Sequence, residues 1–173
     1  MNEHTDEKLM AEVAAGDLDL LKILFERHHV HVYNFLYKMS RDKMLSEDIT
    51  QEVFYKLMKY RNSYNNGSFV SWMFTIARNS LHTHYRRNKE RTEDLNTSSL
   101  QIPDRVDEIE DYSHLQKALE KLDHSDRELL LMNRFEKIKY AELAEIVGST
   151  PGAVKTKVCR ALQKLKVIYF ENI

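Results

Sequence analysis

The first group of residues suited to chemistry is Asp48-x-x-Gln51-Glu52, which combines two carboxylates with an amide. Spacings of three and four residues place all three side chains on one face of a helix. Such a face can hydrogen-bond a basic partner helix, because Arg forms paired bonds with a carboxylate. A solvated acidic face is the alternative interpretation, and the spacing alone favours it.

The second group joins the aromatic segment FVSWMF (69–74) to the polar and basic residues that follow it. Aromatic rings can stack on unpaired bases while Arg neutralises phosphate. Phe69 and Trp72 also fit an apolar core stripe, so core packing is the alternative for both. Tyr64 and the Asn65-Asn66 pair precede the segment in a polar loop, where they are expected to be freer to contact a ligand. The residues that follow are Arg78, Asn79, Tyr85, Arg86 and Arg87.

The third group is an acid-free stretch, Ile146 to Phe170, that carries five bases. A short helical pattern at Tyr140–Val147 precedes it and ends at Gly148, which suits a left-handed cap. Ser149 or Thr150 can cap the next helix, and Pro151 suits its first turn. A short helix, a glycine turn and a basic second helix are typical of a helix-turn-helix DNA reader, although an ordinary hairpin with a solvated basic face fits too. The bases are Lys155, Lys157, Arg160, Lys164 and Lys166, and the apolar face holds Val154, Val158, Ala161, Leu162 and Leu165.

Histidine spacing raises a third possibility, a di-metal enzyme. Glu26-x-x-His29 and Asp111-x-x-His114 match the spacing of carboxylate-bridged metal bundles. Supporting glutamates from two further helices are not evident, so the sequence predicts no metal and no cofactor. Glycine-rich phosphate loops and nucleophile elbows are also absent, and Cys159 is expected to contact a groove and not to act as a catalytic thiol. The prediction is therefore a protein that is not an enzyme.

Composition bounds the fold. The 173 residues suffice for one ordinary domain or two small ones, and the net charge of −1 excludes a uniformly basic nucleic-acid coat. Only 4 Gly and 2 Pro interrupt the chain, and no sustained β-branched alternation occurs. The sequence therefore predicts an all-α fold.

Several features predict a cytoplasmic location without membrane insertion. No apolar run approaches the roughly 18 residues needed to span a bilayer. The N-terminus, MNEHTDEKLM, is acidic and unlike a secretory signal. Cys159 is the one cysteine, so an internal disulfide is impossible.

Periodicity and turn residues predict a first small bundle over residues 17–91, preceded by a short helix within 1–16. Its long first helix is expected to be capped by Asp17, and its second by Ser46, with Glu47 and Asp48 in the favourable first turn. The predicted buried residues of these helices are Phe25, Val32, Phe35 and Leu36, then Ile49, Val53, Leu57 and Tyr60, then Phe69, Trp72, Met73, Ile76, Ala77 and Leu81.

Residues 92–111 differ in kind and are predicted to form a flexible acidic linker. Between Asn88 and Asp111, three bases stand against eight acids. A second helical domain is expected over 112–173, with a capping box at Ser125-x-x-Glu128 and the helix-turn-helix at its end. The predicted architecture is two small helical domains joined by a tether.

Three motifs in order go further: SEDITQEVF (46–54), FVSWMFTIARN (69–79) with YRR (85–87), and KYAELAEIVGSTPGAVKTKVCRAL (139–162). Together they resemble the extracytoplasmic-function (ECF) sigma factors, the small two-domain class of bacterial RNA polymerase sigma subunits. The resemblance covers about residues 17–91 and 112–167. It implies an alternative sigma factor that binds core RNA polymerase and reads the −10 and −35 promoter elements.

The resemblance also implies roles for individual residues. It assigns polymerase binding to the acidic face, which reverses the preference from spacing alone. The polymerase-binding set is Asp48, Gln51, Glu52 and Phe54. The −10 set is Tyr64, Asn65, Asn66, Ser68, Trp72, Arg78, Asn79, Arg86 and Arg87. The −35 set is Lys155, Thr156, Lys157, Cys159 and Arg160.

The implied partners are promoter DNA and core polymerase, bound at the clamp coiled coil of the largest subunit and the flap of the second-largest. An anti-sigma factor is a further candidate partner. Two positions depart from the family pattern: Thr83-His84 replaces a common Asp-Tyr, and Lys139 stands where Ser or Thr usually caps the reader's first helix, which could weaken that cap by about 1 kcal/mol. The competing function is a stand-alone helix-turn-helix regulator that needs no polymerase.

Overall fold

The computed structural model describes residues 4–95 and 110–171, with the side chains of 92–95 and 110–112 left aside. The described residues form α-helices, short 3₁₀ turns and one π-helical turn, and they contain no strand. The predicted all-α class is confirmed. The chain divides into two compact units, Met1–Pro103 (unit 1) and Asp104–Ile173 (unit 2).

The described residues of unit 1 form four helices. They are α1 (Asp6–Ala14), α2 (Leu21–Ser40), α3 (Lys43–Lys59) and α4 (Phe69–Leu95), with 3₁₀ turns at Leu18–Leu20 and Arg61–Ser63. The core forms where α2 packs on α3 and α3 on α4. Phe35 of α2 meets Phe74 of α4 edge-on, with ring centroids 5.7 Å apart. The fully buried side chains of this core include Leu24, Phe35, Leu36, Ile49, Leu57, Phe69, Met73 and Leu81.

The start of α3 corrects the prediction for Ser46. The helix begins at Lys43, because Asp42 caps it: the Asp42 Oδ1 accepts a hydrogen bond from Leu45 N at 3.0 Å. Ser46 lies inside the helix and is fully buried, and its hydroxyl donates to the Asp42 carbonyl at 2.6 Å. Glu47 and Asp48 therefore lie beyond the first turn, where the helix dipole has little effect on them.

Two other predicted caps are wrong. Asp17 makes no side-chain capping bond, since a 3₁₀ turn intervenes and α2 begins only at Leu21. Ser125-x-x-Glu128 does not open a helix either, because the helix begins one residue earlier, at His124 after Asp123. Glu128 is buried instead of reaching back along the surface.

Unit 2 ends in the predicted helix-turn-helix. Its helices are α5 (Glu110–Glu120), α6 (His124–Leu130), α7 (Tyr140–Val147) and α8 (Pro151–Glu171), and a π-helical turn, Leu131–Phe135, continues α6. Helices α5, α6 and α7 each pack against α8. The long last helix is thus the element on which the unit is assembled.

The turn between α7 and α8 confirms the sequence prediction. Gly148 adopts the left-handed conformation, with φ 70° and ψ 46°. Thr150 caps α8 by accepting a hydrogen bond from Ala153 N at 3.2 Å, and Pro151 is the first helical residue. Lys139 precedes α7 and makes no side-chain capping bond, because an ammonium group cannot accept a hydrogen bond from a backbone N–H.

The predicted linker falls mostly outside the described residues. Helix α4 continues to Leu95, and α5 begins at Glu110, so helical structure enters the predicted linker from both ends. Residues 96–109 lie outside the part of the chain that the structure describes.

The corrected cap gives a stability prediction. Asp42→Ala is expected to lower the free energy of unfolding of unit 1 by about 1 kcal/mol, because it removes the capping acceptor of α3. Asp17→Ala is the matched control, since Asp17 makes no such bond, and it should change the value by less than about 0.5 kcal/mol. Urea unfolding followed by the fluorescence of Trp72, the one tryptophan, measures both. Equal losses in the two variants would contradict the assignment.

Candidate protein and nucleic-acid interfaces

The predicted acidic face on α3 is exposed. Asp48, Gln51 and Glu52 all lie at the surface, while Ile49 and Val53 of the same helix are buried. Because the apolar stripe of α3 is buried, the three polar side chains on its other side are exposed to solvent. The structure therefore brings the predicted polymerase-binding triad together on one accessible helix face.

Glu52 is not isolated on this face. Its Oε1 lies 2.6 Å from Lys56 Nζ, one helical turn further on. The same ammonium group donates to Ser80 Oγ of α4 at 3.0 Å, and Ser80 is buried. Lys56 thus links the acidic face of α3 to the helix that carries the predicted DNA-binding residues.

An aromatic patch, Phe25, His29 and Phe54, borders the acidic face. Phe54 is half-buried and meets Phe25 edge-on, with ring centroids 4.9 Å apart. Phe25 was predicted to lie in the core, but it is 39% exposed and stacks on His29 at 4.5 Å. Phe25 matches the helical stripe, so periodicity alone gave no signal that it lies at the rim of the core.

His29 of the first predicted metal pair and the neighbouring His28 each already have a hydrogen-bond partner. His29 Nδ1 bonds to the Phe25 carbonyl at 2.7 Å, within its own helix. His28 Nε2 bonds to Asp6 Oδ2 at 2.8 Å. Asp111, the carboxylate of the second predicted pair, lies outside the described side chains.

Tyr64 differs from its prediction. It was expected to be freer to contact a ligand, but it is only 8% exposed and its ring lies 5.2 Å from that of Trp72. Its hydroxyl donates to the Gly67 carbonyl at 2.6 Å. Burial, with the nearby charges of Glu7 and Asp6, raises the pKa of Tyr64 to about 12. The buried Tyr64 side chain therefore stabilises the loop through its hydrogen bond to Gly67.

The other loop residues divide into two roles. Asn65 and Asn66 are exposed, and Asn66 has a left-handed backbone with φ 62°, which Asn tolerates well. Asn65 Oδ1 accepts from Gly67 N at 3.3 Å, so the turn is held by its own side chain. Ser68 accepts from Ser71 N at 3.3 Å, which makes it a cap of α4.

Helix α4 carries the remaining predicted −10 residues. Trp72 and Arg78 are half-buried, whereas Asn79, Arg86 and Arg87 are exposed. Trp72, Asn79 and Arg86 are seven residues apart, so they follow one side of the helix over about 21 Å at 1.5 Å per residue. Close to this row, His84 Nε2 lies 3.2 Å from the Asn88 amide nitrogen, at the site of the Thr83-His84 departure.

Helix α8 separates its two faces as predicted. Val154, Val158, Ala161 and Leu165 are buried, whereas Leu162 is half-buried. The predicted −35 residues all lie on the exposed side, and the Thr156 hydroxyl donates to the Gly152 carbonyl at 3.1 Å. The exposed set is Lys155, Thr156, Lys157, Cys159 and Arg160.

Lys164 is the exception among the bases of α8. Its ammonium nitrogen lies 2.9 Å from Asp126 Oδ2 of α6. The hydrogen bond to Asp126 raises the pKa of Lys164. Part of its charge is therefore already compensated within unit 2.

The comparisons with known proteins match both units. The Sigma-70 region 2 model matches residues 24–91, and the Sigma-70 region 4 model matches residues 113–165. The class defined by this fold and these matches is the sigma subunit of RNA polymerase. Within the described residues, no helix combines the length and apolarity needed to cross a membrane.

Relatives narrow the class. The RNA polymerase sigma factor CarQ of Myxococcus xanthus is 30% identical over 162 residues, which cover 90% of this chain and 92% of CarQ. The ECF sigma factor SigM of Bacillus subtilis is 28% identical over 155 residues, covering 87% and 95%. The chain belongs to the ECF RNA polymerase sigma factors, so it is an alternative sigma factor that directs core polymerase to promoters. A stand-alone regulator is therefore not retained.

Solved structures share the fold. CnrH, in complex with the cytosolic domain of CnrY, aligns with a TM-score of 0.79 at 21% identity, over 97% of this chain and 99% of CnrH. RpoE of Bartonella quintana, in complex with the anti-sigma factor NepR, aligns with a TM-score of 0.72 at 24% identity, over 85% and 94%.

The ion pair between Lys164 and Asp126 predicts that the bases of α8 contribute unequally to DNA binding. Lys157→Ala is expected to reduce the slope of log affinity against log salt by about one, the loss of one phosphate contact. Lys164→Ala should reduce it clearly less, because Asp126 already holds that ammonium. Titration of promoter duplex with holoenzyme at several salt concentrations measures both slopes. Equal reductions would show that the Asp126 contact gives way to phosphate.

Proposed function

We propose that unit 1 binds core polymerase through α3 and the −10 element through α4 and its preceding loop, while unit 2 reads the −35 element through α8. The protein works in the cytoplasm and supplies no catalytic residue of its own. The observation that carries the proposal is the exposed Asp48-Gln51-Glu52 face on the same small unit as the exposed Asn65-Asn66 loop. Each surface has the chemistry that one of the two partners needs.

Polymerase binding follows from charge and apolar area together. Asp48 and Glu52 offer carboxylates to basic side chains of the clamp coiled coil of the largest subunit, and Gln51 offers an amide between them. An Arg from the coiled coil replaces Lys56 at the Glu52 carboxylate with little change in charge. The half-buried Phe54 and the exposed Phe25 add apolar contact beside the acids.

Recognition of the −10 element divides between the loop and α4. Asn65 and Asn66 present amide donors and acceptors to the edges of an unpaired base. Tyr64 supports the loop from beneath, and Ser68 caps the helix behind it. Asn79 and the pair Arg86-Arg87 follow the melted strand along α4, with the guanidinium groups near phosphate, and Trp72 and Arg78 line the same path.

Recognition of the −35 element uses the geometry of a helix-turn-helix. The N-terminal half of α8 enters the major groove, where Arg160 and Lys155 reach base edges and Lys157 lies near phosphate. Thr156 and Cys159 contact the groove between them. The opposite, buried face of α8 holds the helix on α7 and α6. Unit 2 also binds the flap of the second-largest polymerase subunit.

An anti-sigma factor is the third proposed partner. RpoE of Bartonella quintana was solved with the anti-sigma factor NepR and shares this fold. The aromatic patch and acidic face of unit 1 are the surfaces that such a factor covers to block polymerase. An adjacent gene for a membrane protein with a short cytoplasmic helical domain would support this proposal, and a genome without one would give it no support.

Run-off transcription with purified core polymerase and genomic fragments tests the proposed function. The chain is expected to yield promoter-dependent transcripts that core polymerase alone does not make. No such transcript from any fragment would contradict it.

The acidic face gives the first residue-level prediction. Asp48→Ala with Glu52→Ala is expected to abolish binding to core polymerase while helicity is unchanged, because both side chains are exposed. Asp19→Ala is the matched control, since its carboxylate is also exposed but lies in the Leu18–Leu20 turn, outside α3. Binding is measured by co-elution with core polymerase, and unchanged binding of the double variant would refute the assigned interface.

Helix α8 gives the second residue-level prediction. Arg160→Ala is expected to cost about 1–3 kcal/mol on the cognate −35 sequence and to relax specificity at one position. Lys157→Ala, the control, should weaken binding uniformly across −35 sequences. Holoenzyme affinities for duplexes that vary at each −35 position distinguish the two patterns. A uniform loss in Arg160→Ala would make it a phosphate contact.

A further inference from the structure

Helix α1 lies before the segment that matches sigma region 2, which begins at residue 24, yet it is part of unit 1. Leu9, Met10 and Val13 of α1 are almost completely buried. Burial of such apolar side chains is the main favourable contribution to packing. The helix is thus firmly seated against the rest of the unit, next to α4 and the turn that precedes the loop.

Glu7 of α1 contacts the start of α4 directly. Its Oε1 accepts a hydrogen bond from Phe69 N at 3.2 Å, across 62 residues of sequence. Phe69 is the first residue of α4, so its N–H has no partner within the helix. The negative charge also complements the positive end of the helix dipole. Glu7 and Ser68 therefore share the capping of α4.

Ion pairs between α1 and α2, made by the neighbouring Asp6, fix the position of Glu7. Asp6 pairs with Arg27 at 3.0 Å and with His28 at 2.8 Å, both on α2. The His28 ring lies 5.3 Å from that of Phe69. Phe69 is thus contacted from two helices at once, by Glu7 of α1 and by His28 of α2.

The capped end of α4 is also the end of the base-contacting loop. Tyr64 and Gly67 close the loop through the hydroxyl-to-carbonyl bond, and Phe69 follows directly. The exposed Asn65 and Asn66 are therefore carried on a turn whose inner side and C-terminal end are both held. A shift of Phe69 would move the two amides together.

We propose that Glu7 is a positioning residue for −10 recognition, which acts from α1 by fixing the start of α4 and hence the Asn65-Asn66 turn. This inference rests on the proposed role of that loop. The assignment is to the hydrogen bond that Glu7 accepts, not to a contact between Glu7 and DNA. Through this bond α1 contributes to promoter recognition, although α1 itself does not contact the promoter.

The test uses holoenzyme and a pool of labelled single-stranded 12-mers randomised at six positions. Wild-type holoenzyme is expected to enrich a particular hexamer over the pool median. Glu7→Ala should reduce that enrichment about 5-fold, which is about 1 kcal/mol at 1.4 kcal/mol per tenfold. Glu7→Asp, one methylene short of the N–H, should behave like Glu7→Ala. Glu7→Gln should retain most of the enrichment, because its amide oxygen accepts the same bond.

Glu12→Ala, on the same helix, is the control and should select as wild type does. Core polymerase should bind all five proteins equally. In the free full-length protein, acrylamide should quench Trp72 more in Glu7→Ala than in Glu12→Ala, since Trp72 packs on Tyr64.

Separate outcomes overturn separate claims. If wild type enriches no hexamer, the proposed −10 role fails and the inference fails with it. If wild type selects and Glu7→Ala selects equally well, the inference alone is overturned. Equal defects in Glu7→Gln and Glu7→Ala would also overturn it, because charge and not the hydrogen bond would then decide. Tighter DNA binding by both would overturn it too, because Glu7 would then act by repelling phosphate.

Discussion

The burial of one apolar stripe on α3 determines most of what unit 1 can do. Ile49, Val53 and Leu57 turn inward against the neighbouring helices, and removal of such side chains from water is the largest favourable contribution to the packing. Their burial commits the opposite side of the same helix to solvent, and that side carries Asp48 and Glu52. The proposed polymerase-binding surface thus results from core packing, without any element devoted to it alone.

The same packing brings the two proposed interfaces of unit 1 within reach of each other. Lys56 bonds both to Glu52 on the proposed polymerase-binding face and to Ser80 on α4, next to Asn79. A partner that draws Glu52 away from Lys56 leaves the ammonium with Ser80 as its remaining bond. In the proposed arrangement, docking on polymerase and presentation of α4 to DNA share this one side chain.

Sequence reasoning succeeded where one local rule acts alone. Gly148, Thr150 and Pro151 each act through their own backbone or hydroxyl, so the helix-turn-helix boundaries were predictable. It failed at Ser46, because a better cap, Asp42, stood a few residues earlier, and at Ser125, because the helix already begins at His124. Phe25 and Tyr64 were misjudged for a different reason. Their exposure depends on the packing of other helices, which periodicity does not encode. Glu7 gave no signal at all, since its partner lies 62 residues away.

The central claim, that α3 faces polymerase while α4 faces DNA, can be measured directly by photo-crosslinking. Benzoylphenylalanine would replace Gln51 in one protein and Asn79 in another, and each holoenzyme would be irradiated on a promoter fragment. Both positions are exposed and lie on adjacent helices. The account predicts that the probe at 51 attaches to the largest polymerase subunit and the probe at 79 attaches to the DNA strand. Attachment of the probe at 51 to DNA, or of the probe at 79 only to polymerase, would contradict it.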